Sequence, residues 1–317
     1  MWGDLLNWIM FDKEVYEKMS RKYLRRWAVI SLLPVMLIFI IFLIVPAIAN
    51  VWLSFTNFSG SITVPFHSVG FDNYKRIFTS MSGQMWNLIK VTLIYAFSVT
   101  IIQNILAVVT AVVVNMKLRG RNFYRAVMFL PSILSVVVIG LAWNLILDPI
   151  YGPVNGLLQA LGGNSALLGD PHAALPLVIF VTIWSCFGYA MLLYLAGLQK
   201  VPQELYESCM VEGGNSWAKF RHVTVPFIRP VITINILLSI IGTLNSYAII
   251  FVLTSGGPAQ ITTTLGLYIF KNLSSSNTAG LSQGFVAACS IVLYLIVLFF
   301  VIISRYFLSR KEDVADA

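Results

Sequence analysis

Residues 202–230, PQELYESCMVEGGNSWAKFRHVTVPFIRP, are the longest polar run lying between two hydrophobic stretches of this 317-residue chain. Pro202 can open a helix, because the first helical residue has no N–H partner to lose. Glu204 and Glu207 then occupy the electropositive first turns. Gly213 and Gly214 end that helix, since a tight reversal favours positive φ. Asn215 and Ser216 are suited to cap a second short helix running from Trp217 to about His222. Pro226 and Pro230 mark the passage into the next apolar stretch. The reading is a helix–glycine–helix hairpin resting on a membrane surface. Leu205 and Cys209, four residues apart, share a face expected to pack on the rest of the chain. Glu207 lies about 200° round the helix from Leu205 at about 100° per residue and is expected to point outward.

The composition excludes a soluble domain. The chain is 58% hydrophobic and 11% charged, with a mean hydropathy of +0.83. Apolar runs of bilayer-crossing length, about 20 residues, recur. Six are read, at about 28–53, 86–115, 122–147, 174–199, 228–253 and 282–308. Residues 1–27 form an interfacial or cytoplasmic segment, in which Trp2, Leu5, Leu6, Ile9 and Met10 keep helical spacing. Residues 28–308 form one six-helix domain that contains the hairpin at 202–226, and 309–317 form a short tail. Pro34 and Pro46 are expected to kink or break the first span.

All of the 21 Lys and Arg except Lys75, Arg76, Lys90 and Lys271 precede span one, lie around the 2–3 and 4–5 connections, or follow span six. The positive-inside bias therefore places both termini and the hairpin in the cytoplasm. The net charge of +8 reads as topology and contact with anionic lipid. Its division among four short segments gives no support to nucleic-acid binding. Three cysteines provide no disulfide framework, and His67, His172 and His222 lack metal-ligand spacing. No metal site is expected.

Two polar stripes stand out inside the spans. Thr182, Ser185, Cys186 and Tyr189 recur at i, i+3, i+4, i+7 in span four. Asn235, Ser239, Thr243 and Ser246 recur at i, i+4, i+8, i+11 in span five. Polar groups at such depth face protein or a water-filled cavity. The stripes are therefore either helix-packing contacts or the wall of a pathway. Trp184, Tyr189 and Tyr247 offer flat aromatic faces nearby. Gln103, Asn104 and Asn115 are the polar marks of span two.

The hairpin carries a resemblance. Tyr206-Glu207-Ser208-Cys209, Glu212-Gly213-Gly214, Phe220, Val223, Val225 and Pro226 resemble the EAA loop of ABC-importer permeases. That loop reads Glu-Ala-Ala, Asp-Gly-Ala, then Ile-x-Leu-Pro. Here Ser208 and Cys209 stand for two alanines, Glu212 for Asp and Gly214 for Ala. Gly70-Phe71-Asp72-Asn73-Tyr74, Phe129-Leu130-Pro131, Asp148-Pro149-Ile150-Tyr151-Gly152 and Thr254-Ser255-Gly256-Gly257-Pro258 are similar to stretches of the carbohydrate-uptake group of these permeases. The group serves oligosaccharides such as maltose, multiple sugars, and glycerol-3-phosphate.

The resemblance implies an all-α integral membrane protein with a type I importer core, in a bacterial or archaeal cytoplasmic membrane. It implies that Glu207, Ser208, Cys209, Glu212, Gly213 and Gly214 couple the chain to an ATPase. The implied partners are a second homologous permease, two copies of a cytoplasmic ABC ATPase that bind ATP and Mg²⁺, and an extracytoplasmic sugar-binding protein. It also implies that Thr182, Ser185, Cys186 and Tyr189, with Ser239, Thr243 and Ser246, line the sugar pathway. The chain itself contains no Gly-Lys pair, so it has no P-loop, and it is expected to be a transport subunit without cofactor or catalysis of its own. The competing class is an ion- or proton-driven secondary transporter. Against it, the spans carry almost no Asp, Glu, Lys or Arg to relay charge. A membrane-embedded enzyme is the third class, and it lacks an intramembrane His, Asp or Glu constellation.

Overall fold

The computed structural model describes residues 21–61, 63–116, 119–162, 166–274 and 282–309. Expectations for residues 1–20, for Lys117 and for the tail from Arg310 lie outside them. Among the described residues the chain is helical, apart from an isolated antiparallel bridge between Thr56 and Ser68. The helices are α1 (Arg21–Phe39), α2 (Val45–Leu53), α3 (Asp72–Phe78), α4 (Ser82–Asn115), α5 (Arg121–Ile133), α6 (Val136–Ile146), α7 (Pro153–Ala160) and α8 (Ala174–Leu198). They continue as α9 (Gln203–Val211), α10 (Ser216–Lys219), α11 (Val225–Phe227), α12 (Arg229–Leu244), α13 (Ala248–Thr254), α14 (Leu265–Ser274) and α15 (Gln283–Ser309).

Among the described residues, four stretches are long and apolar enough to cross a membrane unbroken: Val29–Leu53, Ser82–Asn115, Ala174–Leu198 and Gln283–Tyr306. The third expected span is not straight. It consists of α5 and α6 at 97° to one another. Leu134 is extended, and Ser135 caps α6 by accepting from the Val137 N–H. The fifth is also broken. Helix α12 has 16 residues, about 24 Å at 1.5 Å per residue, which is short of a hydrocarbon core of about 30 Å. The chain unwinds at residues 245–247 and resumes as α13. Carbonyls freed at the break are met by side chains: Asn245 Nδ2 donates to Ile241 O at 2.8 Å and Thr264 Oγ1 to Ser246 O at 3.4 Å. The arm Ser216–Phe227 leads into α12 at 69°. Its Lys219, Arg221 and His222 would be costly inside a bilayer, which leaves α12 with α13 as the stretch suited to the fifth crossing.

Span one does not break at its prolines. The ladder instead loosens into a π turn at Ile40–Ile44, where the Val45 N–H reaches back to Ile40 O. This widening relieves the clash between the Pro46 ring and the carbonyl four residues before it. The same device recurs in the hairpin. Phe220–Thr224 is a π turn, Val225 N–H bonds to Phe220 O, and Pro226 follows.

Helix α8 is the hub. It packs most extensively on α4 and next on α5. Ala107 and Ala111 of α4 sit against Ala190, Met191, Tyr194 and Leu195 of α8, all buried. Small residues let backbones approach, which is how helices associate where lipid removes the hydrophobic drive between them. Gly188 shows the limit of this: a Cβ there would overlap the Met128 carbonyl and the Phe129 backbone of α5. Nearer one end of α8, Tyr95, Val99, Val178, Val181, Ile249, Ile250 and Leu253 join α4, α8 and α13 in one core cluster.

The short segment before span two is structural, as its sequence suggests. Asn73 Nδ2 donates to Ser54 O and Thr56 O, each at 2.8 Å, while Ile77 is fully buried. The connection between spans three and four contains α7 and a 3₁₀ turn at Leu167–Gly169.

Candidate functional site

The two polar stripes converge. All seven predicted pathway residues (Thr182, Ser185, Cys186 and Tyr189 from α8, with Ser239, Thr243 and Ser246 from α12 and the break after it) line a single cavity of about 360 Å³. Tyr95 and Gln103 of α4, Ser132 of α5, Asn235, Leu238 and Gly242 complete most of its wall. Among the described residues, no Asp, Glu, Lys, Arg or His lines it. Cys186 and Tyr189 are exposed, whereas Thr182, Ser185, Ser239 and Thr243 are buried. One side of the cavity is therefore a sealed polar wall, and the other opens on the surface of the chain.

Hydrogen bonds across three helices set that wall. Tyr95 Oη lies 3.1 Å from Thr182 Oγ1 and donates to Ser246 Oγ at 3.3 Å. Asn104 Nδ2 donates to Ser239 Oγ at 3.2 Å, and its Oδ1 accepts from Tyr194 Oη at 2.6 Å. Thr100 Oγ1 and Thr243 Oγ1 are 3.5 Å apart. Thr182, Ser185 and Thr243 each donate to a carbonyl of their own helix, at 2.8, 2.8 and 2.7 Å. The stripes thus do both of the things left open by the sequence. Their hydroxyls tie α4, α8 and α12 together, and their remaining lone pairs face a cavity. Such a wall can exchange hydrogen bonds with a neutral, hydroxyl-rich molecule, and no fixed charge competes.

Ser246 lies beyond the helical stripe, in the break after α12, yet its Oγ still reaches the cavity. Trp184 is turned away, edge-on to Trp143 with centroids 5.5 Å apart, and Tyr247 stacks on Phe270 at 4.5 Å. Of the three aromatic faces expected near the pathway, only Tyr189 lines it. Tyr95 and Ser132 were not singled out by sequence. Tyr95 is four residues from Val91 and Val99 on an apolar face, and nothing in its spacing separates it from core.

The hairpin forms as its punctuation suggests. Pro202 is the N-cap, so the helix begins one residue later, at Gln203. Gly213 has φ +81°, and Asn215 Oδ1 accepts from the Ala218 N–H at 2.8 Å. Gly214 is close-packed: its N–H donates to Cys209 O at 2.8 Å, and a Cβ there would meet Cys209 Sγ at 2.5 Å. Glu207 is exposed and accepts from Gln203 Nε2 at 3.0 Å. Ser208 and Glu212 are exposed beside it. The packed face differs from the expected one. Tyr206 and Cys209 are half-buried, with Tyr206 Oη 3.1 Å from Thr224 Oγ1. Leu205 is exposed instead and borders an open groove of about 580 Å³ with Ser208, Cys209, Glu212, Val223, Pro226 and Arg229.

At the opposite side of span five, Thr262, Thr263 and Thr264 are buried, and the first two bind the turn at Gly256–Gly257. Thr262 Oγ1 donates to Gly257 O at 2.8 Å and Thr263 Oγ1 to Gly256 O at 3.0 Å. Asp148, just past α6, accepts from the N–H groups of Tyr151 at 2.7 Å and Ile150 at 2.9 Å. These bonds hold its carboxyl below the ordinary carboxylate pKa.

Residues 103–313 match the family described as "Binding-protein-dependent transport system inner membrane component". The chain is 30% identical over 276 residues to the trehalose/maltose transport system permease protein MalF of Thermococcus litoralis, covering 86% of this chain and 90% of that one. It is 29% identical over 297 residues to the multiple sugar-binding transport system permease protein MsmF of Streptococcus mutans, covering 94% and 99%. Among solved structures it resembles a chain of a bacterial alginate ABC transporter in complex with an alginate pentasaccharide-bound periplasmic protein. The TM-score is 0.77 at 24% identity, over 93% of this chain and 98% of that one, which speaks to the fold. A cavity walled by three crossing helices, an outward-facing acidic hairpin and this family match lead to one conclusion: the chain belongs to the binding-protein-dependent transport system inner membrane components, as a multi-pass permease subunit of ABC importers.

Proposed function

We propose that the chain forms half of the pathway of an ATP-driven importer for a carbohydrate, and that it is driven through the hairpin at 202–226. The observation that carries the substrate reading is the uncharged, hydroxyl-lined cavity shared by α4, α8 and α12. Relatives named for trehalose, maltose and multiple sugars support it. The open side of the cavity, where Cys186 and Tyr189 are exposed, is where a second, related permease completes the wall.

Glu207, Ser208 and Glu212 are exposed on one surface of the hairpin, with Cys209, Gly213 and Gly214 shaping its turn. This surface docks in a cleft of a cytoplasmic ATPase, where Glu207 meets a basic residue. Two ATPase copies bind ATP and Mg²⁺ and close, and the hairpins move with them. The spans then switch from inward- to outward-facing, and a binding protein releases its sugar into the cavity. The polar wall lets sugar hydroxyls exchange water for protein partners at little net cost. Weak, replaceable bonds of this kind also let the sugar leave on the inner side.

The test is purification of the tagged chain from its native membrane in mild detergent, followed by reconstitution with the co-purifying chains. The expected result is an ATPase, a second permease and ATP-dependent uptake of a sugar delivered by a binding protein. Uptake that persists without ATP hydrolysis and collapses with the proton gradient would overturn the proposal.

A further inference from the structure

Gln103 sits on α4, lines the cavity, and is only 6% exposed. Its neighbour Asn104 spends its amide on Thr100 O, Ser239 and Tyr194. Asn235 gives one N–H to Ala190 O. No hydrogen bond is made by the Gln103 side chain among the described residues, and it is not one of the sealed polar atoms left without a partner. Its amide therefore meets the open volume of the cavity. An amide buried this far with nothing to bond is costly unless water or a ligand serves it. By contrast, Thr182, Ser185 and Thr243 have already given their hydroxyl protons to helix carbonyls and present only lone pairs.

Resting on the carbohydrate reading above, we propose that Gln103 is a substrate-contacting residue that recognises a pair of neighbouring sugar hydroxyls. Its N–H₂ and C=O stand side by side, so one hydroxyl accepts while the next donates, the pattern a vicinal diol presents. The surrounding wall is uncharged, so it gives a carboxylate-bearing sugar no counterion to offset lost hydration. The substrate class is accordingly a neutral glycan rather than a uronate. Gln103 sets the affinity and the choice among hydroxyl patterns, and the lone pairs of Thr182 and Thr243 accept from the remaining hydroxyls.

The experiment uses the complete reconstituted importer with its binding protein, and the probes are maltose, trehalose, digalacturonate and monodeoxy analogues of whichever neutral disaccharide is taken up. Wild type should import a neutral disaccharide in preference to digalacturonate. Gln103→Leu should raise KM for uptake about tenfold, the loss of one to two neutral hydrogen bonds, with subunit assembly retained. Gln103→Asn should recover part of that loss. One deoxy analogue should be imported equally by wild type and Gln103→Leu, because the hydroxyl that Gln103 binds is already missing; a merely structural role would depress all analogues alike. Equal loss on every analogue, or an unchanged KM in Gln103→Leu, overturns the assignment while leaving the carbohydrate importer standing. Preference for digalacturonate overturns the neutral-glycan class. ATP-dependent uptake of none of these sugars overturns the carbohydrate reading itself, and this inference with it.

Discussion

Spans one and four are both 25 residues of mostly apolar sequence, Val29–Leu53 and Ala174–Leu198, yet they have opposite surroundings. Half of span four is buried within the chain, and none of span one is. Between Val29 and Leu53 the polar side chains are Ser31, Asn50 and Trp52, and there is no glycine. Asn50 makes a tie to the rest of the fold, donating to Ser290 Oγ of α15 at 2.9 Å. Span four carries Thr182, Ser185, Cys186, Gly188, Tyr189, Tyr194 and Gly197, which supply close approach and interhelical bonds. Hydropathy says only that a segment can enter a bilayer. Small and hydroxylated residues decide whether it becomes the hub of the bundle or faces lipid and other chains.

The sharpest way to break this contrast is one large residue in each span. Gly188→Leu forces a side chain into the α5 backbone at Met128 and Phe129. It should cost about 3 kcal/mol or more, because backbone gives way less readily than side chains. The expected readout is loss of folded, monodisperse protein on size exclusion. Phe42→Ala in span one, where Phe42 is 75% exposed, should leave the melting temperature of the detergent-purified chain within a degree or two.

Next in size is a charge reversal in the hairpin that follows span four. Glu207→Lys keeps the helix but, under the proposed coupling, puts like charges together where the ATPase docks. Uptake should fall more than tenfold, while membrane insertion, measured by protease protection, is unchanged. Normal uptake would remove Glu207 from the coupling role.

Gly242 offers a subtler comparison with Gly188. Nothing lies within 4 Å of the Cβ it lacks, and it borders the cavity. Gly242→Val should melt within about 1 kcal/mol of wild type, since exposed or cavity-facing changes are mild, yet reduce sugar uptake several-fold by occupying the pathway. Stability loss without uptake loss would mean that the cavity is only a packing gap.

The smallest effect belongs to Asp148. Its folded-state pKa is depressed by the N–H groups of Tyr151 and Ile150. It therefore contributes stability above the unfolded carboxylate value of about 3.9, and that contribution is lost as pH falls through the lower folded value. Asp148→Asn should melt slightly below wild type at pH 7, and the difference should shrink as the pH falls below about 4 and vanish below the folded value. A constant difference across that range would mean that the carboxylate charge is irrelevant.

These contrasts also show what a reading of residues could reach. The hairpin was legible because Pro202, Gly213 and Asn215 act locally: a cap and a positive φ depend on neighbours in sequence. The two polar stripes were legible because helical spacing puts their members on one face. The break at residues 245–247 was not, because no glycine or proline announces it. What supports it is Thr264, 18 residues from the Ser246 carbonyl it bonds. The bend at Leu134–Ser135 follows Pro131 and a serine cap, signals too common inside membrane helices to read alone. Tyr95 and the buried threonines Thr262–Thr264 owe their roles to partners on other helices or across a turn. The two π turns before Pro46 and Pro226 were missed for the opposite reason: a proline usually reads as a kink, and here the ladder widened instead.

The most direct test of the central claim, that α4, α8 and α12 wall a watery sugar pathway, uses the chain's own Cys186. In a Cys209→Ser, Cys289→Ser background, the complete importer in lipid discs would be treated with a charged, water-soluble thiol reagent, with and without a transported sugar and its binding protein. Cys186 should be labelled from the aqueous phase, and sugar should slow the labelling. Reaction with lipid-soluble reagents alone, or labelling indifferent to sugar, would overturn the pathway and make the polar stripes helix-packing contacts.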